Sequence, residues 1–117
     1  MIWNLTQVAI GGAVGACLRY LAVLGTGTPT GTLLVNVAGS AVMGALWVTL
    51  ATRGQFQLLL MTGVLGGFTT FSAFSLDAVK LWQQGQTMMA LAYVAASVIL
   101  SIAALVAGAA LAKGIIA

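Results

Sequence analysis

The sequence predicts an all-α integral membrane protein with four transmembrane helices per subunit and a broken third helix, and three observations carry that prediction. The chain is 62% hydrophobic and only 4% charged over 117 residues, far outside soluble composition. Its apolar runs are each about twenty residues long, the length a helix needs to cross the hydrocarbon core. Within one of them, Gly63-Val-Leu-Gly-Gly-Phe-Thr-Thr-Phe-Ser-Ala-Phe-Ser75 sets Gly63, Gly66 and Gly67 ahead of two β-branched threonines, a composition that interrupts a helix. Irregular backbone at membrane depth is tolerated only where protein covers it or where it lines a wet cavity, so the break marks a candidate ion or substrate site. Residues 1–117 read as a single transmembrane domain with no room for a soluble one.

Composition also excludes function classes. There is one cysteine, Cys17, no histidine and one acidic residue, Asp77, so neither an intramolecular disulfide nor a metal cluster of ordinary side-chain ligands is expected. General acid–base work and nucleophile activation want a histidine or a carboxylate pair, and an enzyme is not expected. The formal charge of +3 comes from four scattered cations rather than a basic patch, which argues against nucleic acid as a partner. No Lys or Arg precedes the first apolar run, so no cleaved signal peptide is expected.

The first span covers about 5–24. Gly11 and Gly15, with Gly12 and Ala16 beside them, repeat at a spacing of four that lets another helix approach closely in lipid. Arg19 follows one turn later, either snorkelling to the interface or serving a vestibule. Gly25-Thr-Gly-Thr-Pro-Thr-Gly31 is a turn by its Gly and Pro content. The second span covers about 32–50, where Ser40 and Gly44 offer another small-residue contact. Asn36 is its odd member: an amide that needs protein or water, whether as interhelical glue or as part of a site.

The third span covers about 56–81 and contains the break. Phe71 and Phe74 lie three apart and share a face if helix resumes there, the ordinary reading being core packing. Asp77 and Lys80 fall on consecutive turns near the far end, where they can pair. The fourth span covers about 87–111. Tyr93, Ser97 and Ser101 recur every four residues and draw a line of hydroxyls down one face. Serines bonding back to their own helix carbonyls are one account of that line, and a solvated track is the other.

With the amino terminus on the cytoplasmic side, Arg53 and Lys113 stand there and Arg19 and Lys80 stand opposite. The usual lysine and arginine bias is absent, which permits insertion both ways and antiparallel dimers in which the broken helix meets its own copy.

Three motifs carry a resemblance: Gly-Gly-Ala-Val-Gly-Ala-Cys-Leu-Arg-Tyr at 11–20, Gly-Thr-Leu-Leu-Val-Asn-Val-Ala-Gly-Ser at 31–40 and Gly-Gly-Phe-Thr-Thr-Phe-Ser-Ala-Phe-Ser at 66–75. In these, and in order along essentially the whole chain, the sequence resembles the Fluc, or CrcB, family of microbial fluoride channels. The resemblance implies a dual-topology antiparallel homodimer of four-helix subunits in the cell inner membrane, exporting fluoride passively from the cytoplasm through two pores. Carried over by motif, Asn36, Phe71, Phe74, Tyr93, Ser97 and Ser101 match the fluoride pore and Arg19 the vestibule. Gly66 and Thr69 match positions whose backbone carbonyls, from both subunits, hold a structural sodium ion (Na+) at the dimer interface. Ala73 departs from the threonine expected between the two phenylalanine turns, which removes any hydroxyl there and leaves the aromatic pair. The physics agrees: a strongly hydrated anion needs donors in place of water, and ring edges attract it without a fixed cation that would trap it.

Two other classes compete. A small proton-coupled multidrug transporter shares the size and dual topology but needs an ionisable group at depth, whereas Asp77 is expected near an interface. A non-transporting assembly subunit would use the glycine motifs for packing alone and leaves the break, Asn36 and the hydroxyl line without a purpose.

Overall fold

In the computed structural model, which describes residues 1–51 and 54–116, α1 (Ile2–Thr26) and α2 (Thr30–Thr49) are joined by a tight turn. Gly27 supplies the turn with φ 78°, a left-handed conformation that favours glycine. The next segment opens with a single 3₁₀ turn (Gly54–Phe56), continues as a π-helix (Leu58–Leu65) and ends in one α-turn, α3 (Gly66–Phe68). Thr69 and Thr70 are extended, with ψ of 157° and 125°. Helix resumes as α4 (Phe71–Gln83), followed by the long α5 (Thr87–Ile116). Arg53 lies outside the described residues.

Local chemistry accounts for the ends. Thr70 caps α4, its hydroxyl oxygen accepting from the Ala73 amide at 3.2 Å. At the other end Gly85, with φ 81°, lets the Gln86 amide bond the Leu81 carbonyl and its own amide bond the Trp82 carbonyl, the paired bonds of a Schellman stop.

Two glycine seams bring the helices together. A Cβ on Gly15 would overlap the Val64 carbonyl oxygen, and one on Gly67 would fall 3.1 Å from the Ala16 amide, so α1 lies backbone against backbone on the first half of the third segment. Likewise a Cβ on Gly44 would overlap the Leu105 carbonyl oxygen and one on Gly108 that of Ala41, fixing α2 on α5. A small core of Phe74, Leu81, Ala90 and Tyr93 seats α4 on α5. Buried Gln7 ties the start of α1 to the 3₁₀ turn, its amide oriented to accept from Trp3 Nε1 and to donate to the Gln55 carbonyl, both at 3.1 Å.

Among the described residues four helical segments are long and apolar enough to cross a membrane: Ile2–Thr26, Thr30–Thr49, Gly54–Gln83 and Thr87–Ile115. Their large apolar side chains point mostly outward, Leu21, Leu24, Trp47, Ile99 and Leu111 among them. An inside-out distribution of this kind suits lipid and other protein as surroundings, not water.

Candidate functional site

Where Phe68 ends one helical piece and Phe71 begins the next, the amides of residues 70–73 and the carbonyls of residues 66–69 lose their i to i−4 partners. The chain answers with side chains. Asn36, on α2, donates from Nδ2 to the Thr70 carbonyl and accepts the Thr70 amide at Oδ1, both at 2.8 Å. That pairing fixes the amide orientation, because turning it over would set NH₂ against N–H and oxygen against oxygen. In a continuous helix the Thr70 amide would bond the Gly66 carbonyl and the Ala73 amide that of Thr69. Here the first goes to Asn36 and the second to the Thr70 hydroxyl, so Gly66 and Thr69 each lose that carbonyl partner.

Arg19 lies against the same feature from the α1 side. Its Nε donates to the Gly67 carbonyl at 3.1 Å, placing a cation at the carboxy-terminal end of the first half-helix, where the dipole favours it.

Beside the break a groove of about 380 Å³ runs between α2, α4 and α5. Of the residues singled out from sequence, Asn36, Thr69, Phe71, Phe74, Ser97 and Ser101 line it. Phe71 and Phe74 meet edge to face with centroids 5.2 Å apart, the first 77% exposed and the second buried. Ser97 is buried and its Oγ is, among the described residues, without a hydrogen-bond partner, a donor left free beside the groove. Arg19, Gly66 and Tyr93 are not among the groove's lining residues. Tyr93 stacks behind Phe74 at 5.4 Å and turns its hydroxyl to Asp77 Oδ2 at 3.5 Å, the outer limit of a hydrogen bond.

Asp77 therefore faces a different partner from the Lys80 that the sequence suggests. It is buried at the head of the hydroxyl line and faces Tyr93, while Lys80 is exposed. Spacing along one helix suggested the lysine; the tyrosine comes from another segment and leaves no mark in local spacing. Thr70 is a further site residue, and its signal in the sequence is that of an N-cap, a threonine just ahead of a helical run.

A family model described as CrcB-like protein, Camphor Resistance (CrcB), matches residues 6–109. A relative from Cereibacter sphaeroides named Fluoride-specific ion channel FluC is 54% identical over 121 residues, covering 97% of this chain and 98% of its own. Relatives of the same name from Paracoccus denitrificans and Chelativorans sp. are 50% and 51% identical, covering 95% and 98% of this chain and 95% and 100% of their own. These are names of ion channels, not of enzymes. Four apolar spans with such relatives make this a multi-pass membrane protein. The family match reaches from Thr6 near the start of α1 to Ala109 in α5, through all four spans, and the chain belongs to the CrcB family.

Proposed function

We propose that this protein is a fluoride-selective passive channel of the plasma membrane, exporting fluoride from the cytoplasm through two pores of an antiparallel, dual-topology homodimer. The observation that carries the reading is the groove at the break. It gathers neutral donors and ring edges around an apolar path, in a chain about half identical to proteins named as fluoride-specific channels.

Fluoride gives up strongly held water only where other donors replace it. Ser97 Oγ–H makes no hydrogen bond among the described residues and has the Tyr93 hydroxyl as a polar neighbour, so it can turn to the anion. Ser101 adds a hydroxyl one turn on, and Asn36 keeps a second Nδ2–H after its bond to Thr70. Phe71 and Phe74 offer positive ring edges. Tyr93, held to Asp77 only at 3.5 Å, can turn its hydroxyl to an arriving anion. None of these groups carries a positive charge, so each site stays weak enough to release the ion. Arg19 stands off the groove and raises the local potential for anions without contacting the path.

The exposed Phe71 ring and the open side of the groove need a cover, which a second, inverted copy supplies by bringing its own break against this one. The Gly66 and Thr69 carbonyls, freed from their helical partners, fit a hard monovalent cation, and with the same two from the second copy they would hold a sodium ion. Bound there, sodium would supply positive charge to acceptors that lipid cannot satisfy.

The deciding experiment is ion efflux from liposomes loaded with fluoride or with chloride. Rapid fluoride loss without chloride loss, and without an imposed proton gradient, is the expected result. Flux of neither anion would refute the channel reading, and flux that requires a proton gradient would point to a coupled transporter.

A further inference from the structure

Two side chains at the break each do what a continuous helix would do with backbone. Asn36 offers an acceptor and a donor in the spacing of a peptide group and forms a closed pair with the Thr70 peptide, like one rung of a ladder between strands. The Thr70 hydroxyl then takes the Ala73 amide and starts α4. These are the two amides that a straight helix would direct to Gly66 and Thr69. The consequence is specific: the same bonds that hold the backbone extended also strip two carbonyls of their partners. Asn36 sits at the centre of this arrangement, since it also lines the groove.

We propose that Asn36 and the Thr70 hydroxyl are positioning residues for the cation position, keeping the Gly66 and Thr69 carbonyls free by capturing the amides that would otherwise bond them. The proposal rests on the sodium reading given above. It makes the groove and the cation position one unit, because a single carboxamide serves both. A change in Asn36 is then felt at carbonyls with which its side chain forms no bond.

Two outcomes are distinct, and a second variant separates their causes. If the amides were held extended by packing alone, Asn36→Leu, of similar bulk, would leave the Thr70 backbone unchanged. If the bonds hold it, Asn36→Leu lets the Thr70 and Ala73 amides return to backbone carbonyls. Asn36→Asp separates the bonds from the shape: as a neutral acid it can both accept from the Thr70 amide and donate to the Thr70 carbonyl, and once ionised it keeps the first bond and repels the second. Arg19 on α1, Asp77 on α4 and Tyr93 on α5 are the other titratable or charged groups around this region, and the wild-type profile sets their background.

The test is solution NMR of the full-length protein with backbone carbonyl and amide labels, titrated with sodium chloride at constant chloride, at acidic and at mildly alkaline pH. In wild type the Thr70 shifts should be those of extended backbone at both pH values, and the Gly66 and Thr69 carbonyls should respond to sodium. Asn36→Leu should move Thr70 toward helical shifts and raise the half-saturating sodium concentration about tenfold, as loss of one ordinary hydrogen bond would. Asn36→Asp should match wild type in acid and, in alkali, lose only the bond to the Thr70 carbonyl, so that its Thr70 amide and Gly66 carbonyl signals stay nearer wild type than those of Asn36→Leu, reversibly in one sample. Thr70→Ser should preserve the sodium response and Thr70→Val weaken it. An Asn36→Leu protein with unchanged Thr70 shifts and sodium midpoint overturns the proposal. Wild-type carbonyls indifferent to sodium would overturn the cation reading and the coupling with it, while the Thr70 shifts would still decide separately whether Asn36 holds the backbone.

Discussion

A buried hydroxyl without a partner is costly, by about 1–3 kcal/mol, and Ser97 Oγ is in that position. Such a cost is sustained where the group has a use, and under the proposed function that use is a passing anion. Ser97→Ala should therefore separate stability from function: detergent-solubilised protein should unfold at the same or a higher temperature while fluoride efflux falls. A loss of both would mean that the hydroxyl holds the fold instead. Phe71→Ile tests the ring in the same manner. It keeps an apolar side chain at an exposed position and removes the positive edge, a loss of about 0.5–1.5 kcal/mol and on the order of a 2- to 10-fold drop in flux. Size-exclusion profiles should show the assembly unchanged, and undiminished flux would take the ring out of the mechanism. At this scale the sequence showed which residues were chemically out of place in lipid, Asn36 and the hydroxyl line above all. It did not show their partners. The Asn36 bonds reach residue 70, and the Tyr93 contact with Asp77 joins α5 to α4.

Helices α2 and α5 touch through Gly44 and Gly108, where an added Cβ would run into the Leu105 and Ala41 carbonyls. Backbone cannot yield as a side-chain tip can. Gly44→Ala or Gly108→Ala should cost about 1–3 kcal/mol and lower the unfolding temperature, whereas Gly12→Ala, with nothing within 4 Å of the new methyl, should not. Unfolding in detergent by intrinsic fluorescence would read all three, and an unaffected Gly44→Ala would mean that the seam is looser than drawn. The four spans were legible because lipid allows few polar residues between turns, and Gly, Pro and polar residues punctuate the chain at 25–31 and 82–86. The Gly11 and Gly15 seam was legible too, from its spacing. The π-helix of Leu58–Leu65 was not, since Leu-Leu-Leu-Met is apolar on every side and carries no period to distinguish one helical winding from another. Nor were the helix limits. α1 already starts at Ile2, ahead of the apolar run near residue 5, because Gln7 donates to the Gln55 carbonyl in the 3₁₀ turn and accepts from Trp3 Nε1 within the helix, which ties that first turn down.

For the molecule as a whole, the governing quantity is charge distribution. Two cations read on each side of the sequence leave no dominant inside face, which permits insertion in both orientations, and the proposed dimer of opposed copies requires both. The proposed pore depends on this assembly, because one copy leaves Phe71 exposed and the groove open along one side. Charge can be added without disturbing the interior: Asn4 and Gln55 are exposed at one end of the bundle, Gln84 and Gln86 at the other. Asn4→Lys with Gln55→Lys should drive the amino terminus to the cytoplasm, and Gln84→Lys with Gln86→Lys should drive it outward. Each double variant expressed alone should lose most of the fluoride efflux measured in intact cells, and co-expression of the two should restore it. Restoration is the informative arm, since two defective chains can recover only by complementing each other in opposite orientations. If either variant alone retained full efflux with its termini shown by labelling to lie on one side, the opposed dimer would not be required, and the cover over the Phe71 face would have to come from a parallel copy or from lipid.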